Sequence, residues 1–255
     1  MPYSHPQPID RQGALTKIRH MMPGAAALAM AAGYINSVSL GFFHSPVSHM
    51  TGAVSRMGLD AVAGRMSDAL ASVSILVGFV LGAALCGVIV GAWKLLPSRT
   101  YGIAMIVEGL LLCAACAMLM FKTRWALPVI ALACGLQNAM TSSYCGLIVR
   151  TTHITGLVTD IGVMLGHWLR HRQIQGWKMR FLFIVLFSFS AGGVLGAVAD
   201  LTYGPISLVL PAVGILITGI IYWAMHHYGL VEAVQDASPQ TPVTGTFPNF
   251  NKDDK

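Results

Sequence analysis

The chain has 255 residues, of which 55% are hydrophobic and 10% charged, with a mean hydropathy of +0.66 and a formal net charge of +6. A soluble domain carries about 25% charged residues, so a water-soluble globule, a disordered chain and a disulfide scaffold are all excluded. What remains is an all-α polytopic membrane protein, because lipid offers no partner to a bare backbone amide and no stretch shows the alternation of a transmembrane barrel.

Residues 1–20 are polar, with Arg11, Lys17, Arg19 and His20 just before the first apolar run, and form a cytoplasmic N-terminal segment. Met21–Phe43 is free of charge and long enough for a bilayer, which needs about 20 apolar residues. A short polar segment over 47–66 follows, opening at His49-x-Thr51-Gly52. Ala69–Trp93 is a second span and carries Gly78-x-x-x-Gly82. Thr100–Phe121 is a third, broken only by Glu108, and Trp125–Val149 a fourth. A second short segment, 151–169, opens at His153-x-Thr155-Gly156. Phe181–Ala199, with Gly192-x-x-x-Gly196, and Leu201–Met225 complete six long helices. Residues 227–255 hold Pro239, Pro242 and Pro248 among mixed charges and read as a disordered tail.

The order of features repeats. Gly33, Asn36 and Ser37 match Gly135, Asn138 and Ala139, at an offset of 102. The block His49, Thr51, Gly52, Arg56, Gly58 matches His153, Thr155, Gly156, Asp160, Gly162, at an offset of 104. Gly78 and Gly82 match Gly192 and Gly196, and Tyr101-Gly102 matches Tyr203-Gly204. One transmembrane domain, 21–226, is therefore built of repeats 21–121 and 125–226. Small residues at these glycines let helices approach closely, and the same is expected of Gly52 and Gly156. Thr51 and Thr155 are placed to cap the short helices.

The blocks Gly135-x-x-Asn138-Ala139, Thr151-Thr152-x-x-Thr155-Gly156 and Met50-Thr51-Gly52 resemble the YoaK family of bacterial inner-membrane proteins, catalogued as domain of unknown function 1275. The resemblance covers roughly residues 20–226. It implies a fold and an inner-membrane address and no activity; the two topologies that follow both put both termini in the cytoplasm.

Two topologies compete. If the short helices are broken, re-entrant segments, six helices cross and an odd repeat must be inverted. If they cross as well, eight cross and the repeats run parallel. Counting Lys and Arg, the first places ten inside and four elsewhere, and the second ten inside and three outside. The positive-inside rule barely separates them. The polarity of the short segments favours six, since a charge at the bilayer centre is unfavourable by about 2.5–3.5 kcal/mol on insertion scales.

Ionisable groups inside a membrane mark function by default. Arg56 and Asp160 hold equivalent places with opposite charge, and are expected to pair; Asp60, one turn from Arg56, is the other candidate partner. Asn36, His49, Thr51, Arg56, Gln137, Asn138, His153, Thr155 and Asp160 are the candidate solute-binding residues, gathered at the repeat interface. Broken helices aim their N-termini at anionic groups in transporters of this kind. The competing reading is a set of packing contacts. Glu108 suits proton coupling, or faces an arginine or a wet cleft; its counterpart falls at Leu210–Ala212. His44, His49, His153 and His167 are too dispersed for a metal site, and the cysteines Cys86, Cys113, Cys116, Cys134 and Cys145 are packing residues. No hydrolase, nucleotide-binding or zinc-protease motif occurs, so no cofactor is expected, and nothing supports nucleic-acid binding. The reading is a small secondary transporter or permease for a small solute, anions included. Its surroundings are the lipid bilayer and a second copy in a homodimer. An intramembrane enzyme or a membrane scaffold is the alternative.

Overall fold

The computed structural model describes residues 11–43, 47–91, 99–142, 154–172 and 176–229. These form eight α-helices: α1 Arg11–Phe43, α2 Met50–Val62, α3 Met66–Val90, α4 Arg99–Met120, α5 Ala126–Ser142, α6 Ile154–His171, α7 Gly176–Tyr203 and α8 Val209–His227. A 3-10 turn, Gly204–Leu208, joins α7 to α8. There is no strand among the described residues. Four stretches are long and apolar enough to cross a membrane: Met22–Phe43, Met66–Val90, Arg99–Met120 and the continuous Gly176–His227. Large apolar side chains stand exposed around them, among them Val88, Leu110, Leu195 and Ile221. Water would penalise that surface, whereas lipid accepts it, which fits an α-helical membrane protein.

Two boundaries depart from the expectations. α1 begins at Arg11, inside the segment assigned to a polar N-terminus. The last two spans meet at Gly204–Leu208 rather than at Asp200. Gly204 has φ +62°, which glycine alone adopts readily, and Pro205 follows it. Asp200 stays inside α7, where the carboxylate lies against Gly41 of α1. A side chain at Gly41 would occupy that space.

The helices pack in pairs drawn from the two halves of the chain: α1 on α7, α3 on α5 and α4 on α8. Glycines set each contact. Gly192 and Gly196 of α7 lie against the backbone of Met30 and Tyr34, so α1 and α7 run in the same direction. Gly78 and Gly82 of α3 lie against Pro128 and Leu132, so α3 and α5 also run together. In the third pair Gly102 meets Trp223 while Gly109 meets Leu216, and this pair is antiparallel. The contacts come in matched sets. Gly33 meets Phe189 as Gly135 meets Phe79, and Gly192 meets Met30 as Gly82 meets Leu132. Gly109 meets Leu216 and Ala212 as Gly219 meets Ile106 and Gly102. The offset between matched positions is 102 in α1 and α5, as expected (135 − 33). In the other long helices it is 110 (192 − 82 and 219 − 109). By these contacts Gly82 compares with Gly192, one helical turn from the alignment by Gly-x-x-x-Gly, and the same offset sets Glu108 beside Thr218 rather than Leu210–Ala212.

α5 is the most enclosed helix, held among α3, α4 and α1. The α4–α5 turn over 121–125 marks one end of the bundle, called here the upper end. The α2–α3 turn lies beside it, since Arg124 approaches Asp68 at 3.9 Å. The 3-10 turn lies there too: the Cys116 thiol donates to the Pro205 carbonyl at 3.7 Å.

Candidate functional site

The chain leaves α1 at Phe43 and then doubles back. Val47 and Ser48 are buried, and the Ser48 hydroxyl donates to Oδ1 of Asn36 at 2.8 Å. Asn36 lies seven residues before the end of α1, which is about 10 Å at the helical rise. His49, half-buried, sits 6.1 Å from Phe189 between ring centroids, and Phe189 is the residue against Gly33. The N-terminal end of α2 is therefore seated near the middle of the apolar span Met22–Phe43 of α1. From there α2 rises along α3 to the turn at 63–65.

α6 lies in the opposite half. Leu157 and Ile161 pack with Met179, Phe181, Leu182 and Val185 of α7 and with Ala29 of α1. Met179 to Val185 belong to the first half of α7, and Ala29 to the first half of the apolar span Met22–Phe43, two segments that run upward together, so α6 occupies the lower half of the bundle. No contact joins α2 to α6 among the described residues.

This separation corrects the expected Arg56–Asp160 pair. Arg56 Nε lies 3.7 Å from Asp60 Oδ2, on its own helix. Asp60, 3% exposed, also accepts from Arg65 Nε at 3.0 Å and from its terminal nitrogen at 2.5 Å. Asp160 is exposed on α6 and forms no ion pair among the described residues. Sequence equivalence put the two charges at matching points of α2 and α6, but those helices occupy opposite halves. Arg56, Asp60, Arg65 and Asp68 instead line an open cleft of about 560 Å³ at the upper end, with Gly52, Ser55 and Leu59.

The capping residues also change. His49 occupies the N-cap of α2 and makes no side-chain capping bond. Thr51 lies in the first turn and Thr155 is the second residue of α6, and both are exposed. Gly52 and Gly156 are exposed too. His153, His44 and Cys145 lie outside the described residues. Among the described residues no cluster of His, Cys, Asp or Glu could hold a metal.

A second group of buried polar atoms lies across the bundle. Gln137 is fully buried, and its Nε2 donates to the Leu28 carbonyl at 3.4 Å, tying α5 to α1. Its Oε1 has no partner. Glu108 is fully buried, and neither of its oxygens has a hydrogen-bond partner. Asn138 is half-buried beside them on α5. The polar side chains therefore form two groups, Asn36, Ser48 and His49 higher along α1, and Gln137, Asn138 and Glu108 lower, near Leu28. Sequence reasoning named Asp60 as a candidate partner of Arg56 but passed over Ser48, Arg65 and Asp200. Only the last carried a signal, as a lone acid between two apolar runs.

A family model described as a protein of unknown function, DUF1275, matches residues 24–221. No curated protein and no solved structure matches the chain.

Proposed function

The chain belongs to the DUF1275 family of proteins of unknown function, so its activity has to be read from its own residues, and we propose that it is a small secondary transporter for a small, anionic solute. One observation carries the reading: the return of the chain at Ser48 to Asn36. It seats the N-terminus of a short helix at mid-height in a bundle with an apolar exterior. Inverted-repeat transporters build their sites from such broken helices, whose N-terminal amides and positive dipole ends favour anions. Asn36 and His49 flank that terminus, and Gln137 and Asn138 form a second polar group lower on α5, where Gln137 donates to the Leu28 carbonyl. Thr51 stays at that terminus, in the first turn of α2, whereas Arg56 lies at the upper cleft and Thr155 and Asp160 on α6 in the lower half.

The topology that goes with this reading has six crossings and two inverted repeats. Its support is directional. With α2 and α6 re-entrant, α1 and α7 run one way, α3 and α5 run the other, and α4 opposes α8. Eight crossings would make α4 and α8 parallel, whereas their glycine contacts are antiparallel. The matched contact sets support the repeats themselves. The reading places the protein in the bacterial inner membrane with both termini cytoplasmic, and a homodimer would thicken the bundle.

Purified protein in liposomes, offered a panel of radiolabelled small organic anions, is expected to accumulate at least one of them above protein-free vesicles. His49→Ala and Asn36→Ala should lower that uptake while the protein stays folded. Turnover of a lipid-soluble compound without solute flux would replace the transporter with an intramembrane enzyme.

A further inference from the structure

Glu108 lies midway along α4, fully buried, and neither carboxyl oxygen has a hydrogen-bond partner. The Gln137 Oε1 atom on α5 is in the same condition. Glu108 stands 12 residues before Met120, the end of α4, and Asn138 stands 12 after Ala126, the start of α5. The acid is therefore level with the Gln137–Asn138 pair in the α4–α5 hairpin. The titratable groups near enough to feel its charge are Cys86 from α3 and Cys134 from α5. On α8, Ala212 and Leu216 lie against the neighbouring Gly109, and the 3-10 turn Gly204–Leu208 has no ionisable side chain. No arginine or lysine pairs with Glu108 among the described residues.

A carboxylate with no donor and no cation beside it is the least favourable group a low-dielectric interior can hold. Two ligands could resolve this, a metal cation or a proton. Hard cations gather six or more oxygens, and here the unpartnered oxygens are those of Glu108 and Gln137, walled by two thiols and by alkyl groups such as Leu112 and Ala104. A proton needs only one of those oxygens, and the resulting O–H becomes a donor.

We propose that Glu108 is a proton-binding site, occluded in this arrangement and opened when the α4–α5 hairpin parts. On opening, the carboxyl O–H bond breaks, the proton passes to water, and the carboxylate remains hydrated until the reverse step. The opening step rests on the transporter reading above, whereas the bound proton rests on burial and the missing donors alone.

Infrared difference spectra of the purified protein in lipid nanodiscs test this at neutral pH, wild type against Glu108→Gln. The expected result is a carbonyl stretch of a protonated carboxylic acid in the wild type, absent from the variant and slow to shift in deuterated water. If Glu108→Gln does not fold, Glu108→Asp serves, since it should move the band rather than abolish it. A difference spectrum with carboxylate bands alone overturns the proposal. So does a rise in wild-type Tm when sodium chloride replaces choline chloride, lost in the variant, because that marks a cation site. The band is read with no solute present, so a missing band and a silent uptake assay are separate failures.

Discussion

Leucine in place of Gly82 or Gly192 is expected to destabilise the protein by about 3 kcal/mol or more, the upper end of overpacking penalties in cores. The two residues sit where one backbone crosses another, and a Cβ on either would overlap the carbonyl of Leu132 or Met30. A flexible side chain could step aside; a helix backbone cannot without parting the pair. Even alanine should be destabilising at both positions. Gly162 and Gly214 supply the contrast, since a Cβ there meets nothing within 4 Å. Alanine at either should raise stability by about 0.5–1 kcal/mol, the ordinary helical gain over glycine. Unfolding in mixed detergent micelles checks all four. Equal effects at the two kinds of position would show that the crossings are not glycine contacts.

Removing Arg65 should be the most damaging change to the charged turn between α2 and α3. Asp60 is buried and takes two hydrogen bonds from Arg65, while Arg56 stands 3.7 Å away. Hydrogen bonds to charged groups contribute about 1.5–3 kcal/mol. The Arg65 side chain is 51% exposed, so solvent screening reduces the loss for Arg65→Ala to about 2 kcal/mol. Arg56→Ala should lose less, and Asp160→Ala should stay within about 0.5 kcal/mol, as an exposed change away from any partner does. In a double-mutant cycle Asp60 and Arg65 should couple. Arg56 and Asp160 should be additive, and coupling between them would restore the cross-repeat pair.

The long helices could be read from the sequence because lipid demands unbroken apolar runs, and α3 and α4 lie within three residues of their expected starts. The α7–α8 break was misplaced because Asp200 is the one charge in a long apolar stretch, and a charge looks like an end. What allows it inside α7 is Gly41 on another helix, which no local pattern reveals. The repeat was legible at Gly33 and Gly135. In α3 and α7 the Gly-x-x-x-Gly motifs led to an alignment one turn out of register, because helical packing repeats every four residues and tolerates that slip. Arg56 and Asp160 are equivalent in sequence, yet equivalence says nothing about which half of a bundle each copy enters. Asn36 and His49 were found by their type and spacing, but Ser48, the residue that brings them together, is one serine among many until the chain is seen to fold back.

The central claim, two inverted repeats with six crossings, turns on the opposite directions of α4 and α8. Single cysteines at Lys122, just past α4, and at Tyr228, just past α8, can be placed in a cysteine-less background and labelled from one face of intact cells with an impermeant maleimide. The account predicts opposite faces, with Lys122→Cys labelled from outside and Tyr228→Cys only after the membrane is opened. Labelling of both positions from the same face would contradict it and make the repeats parallel.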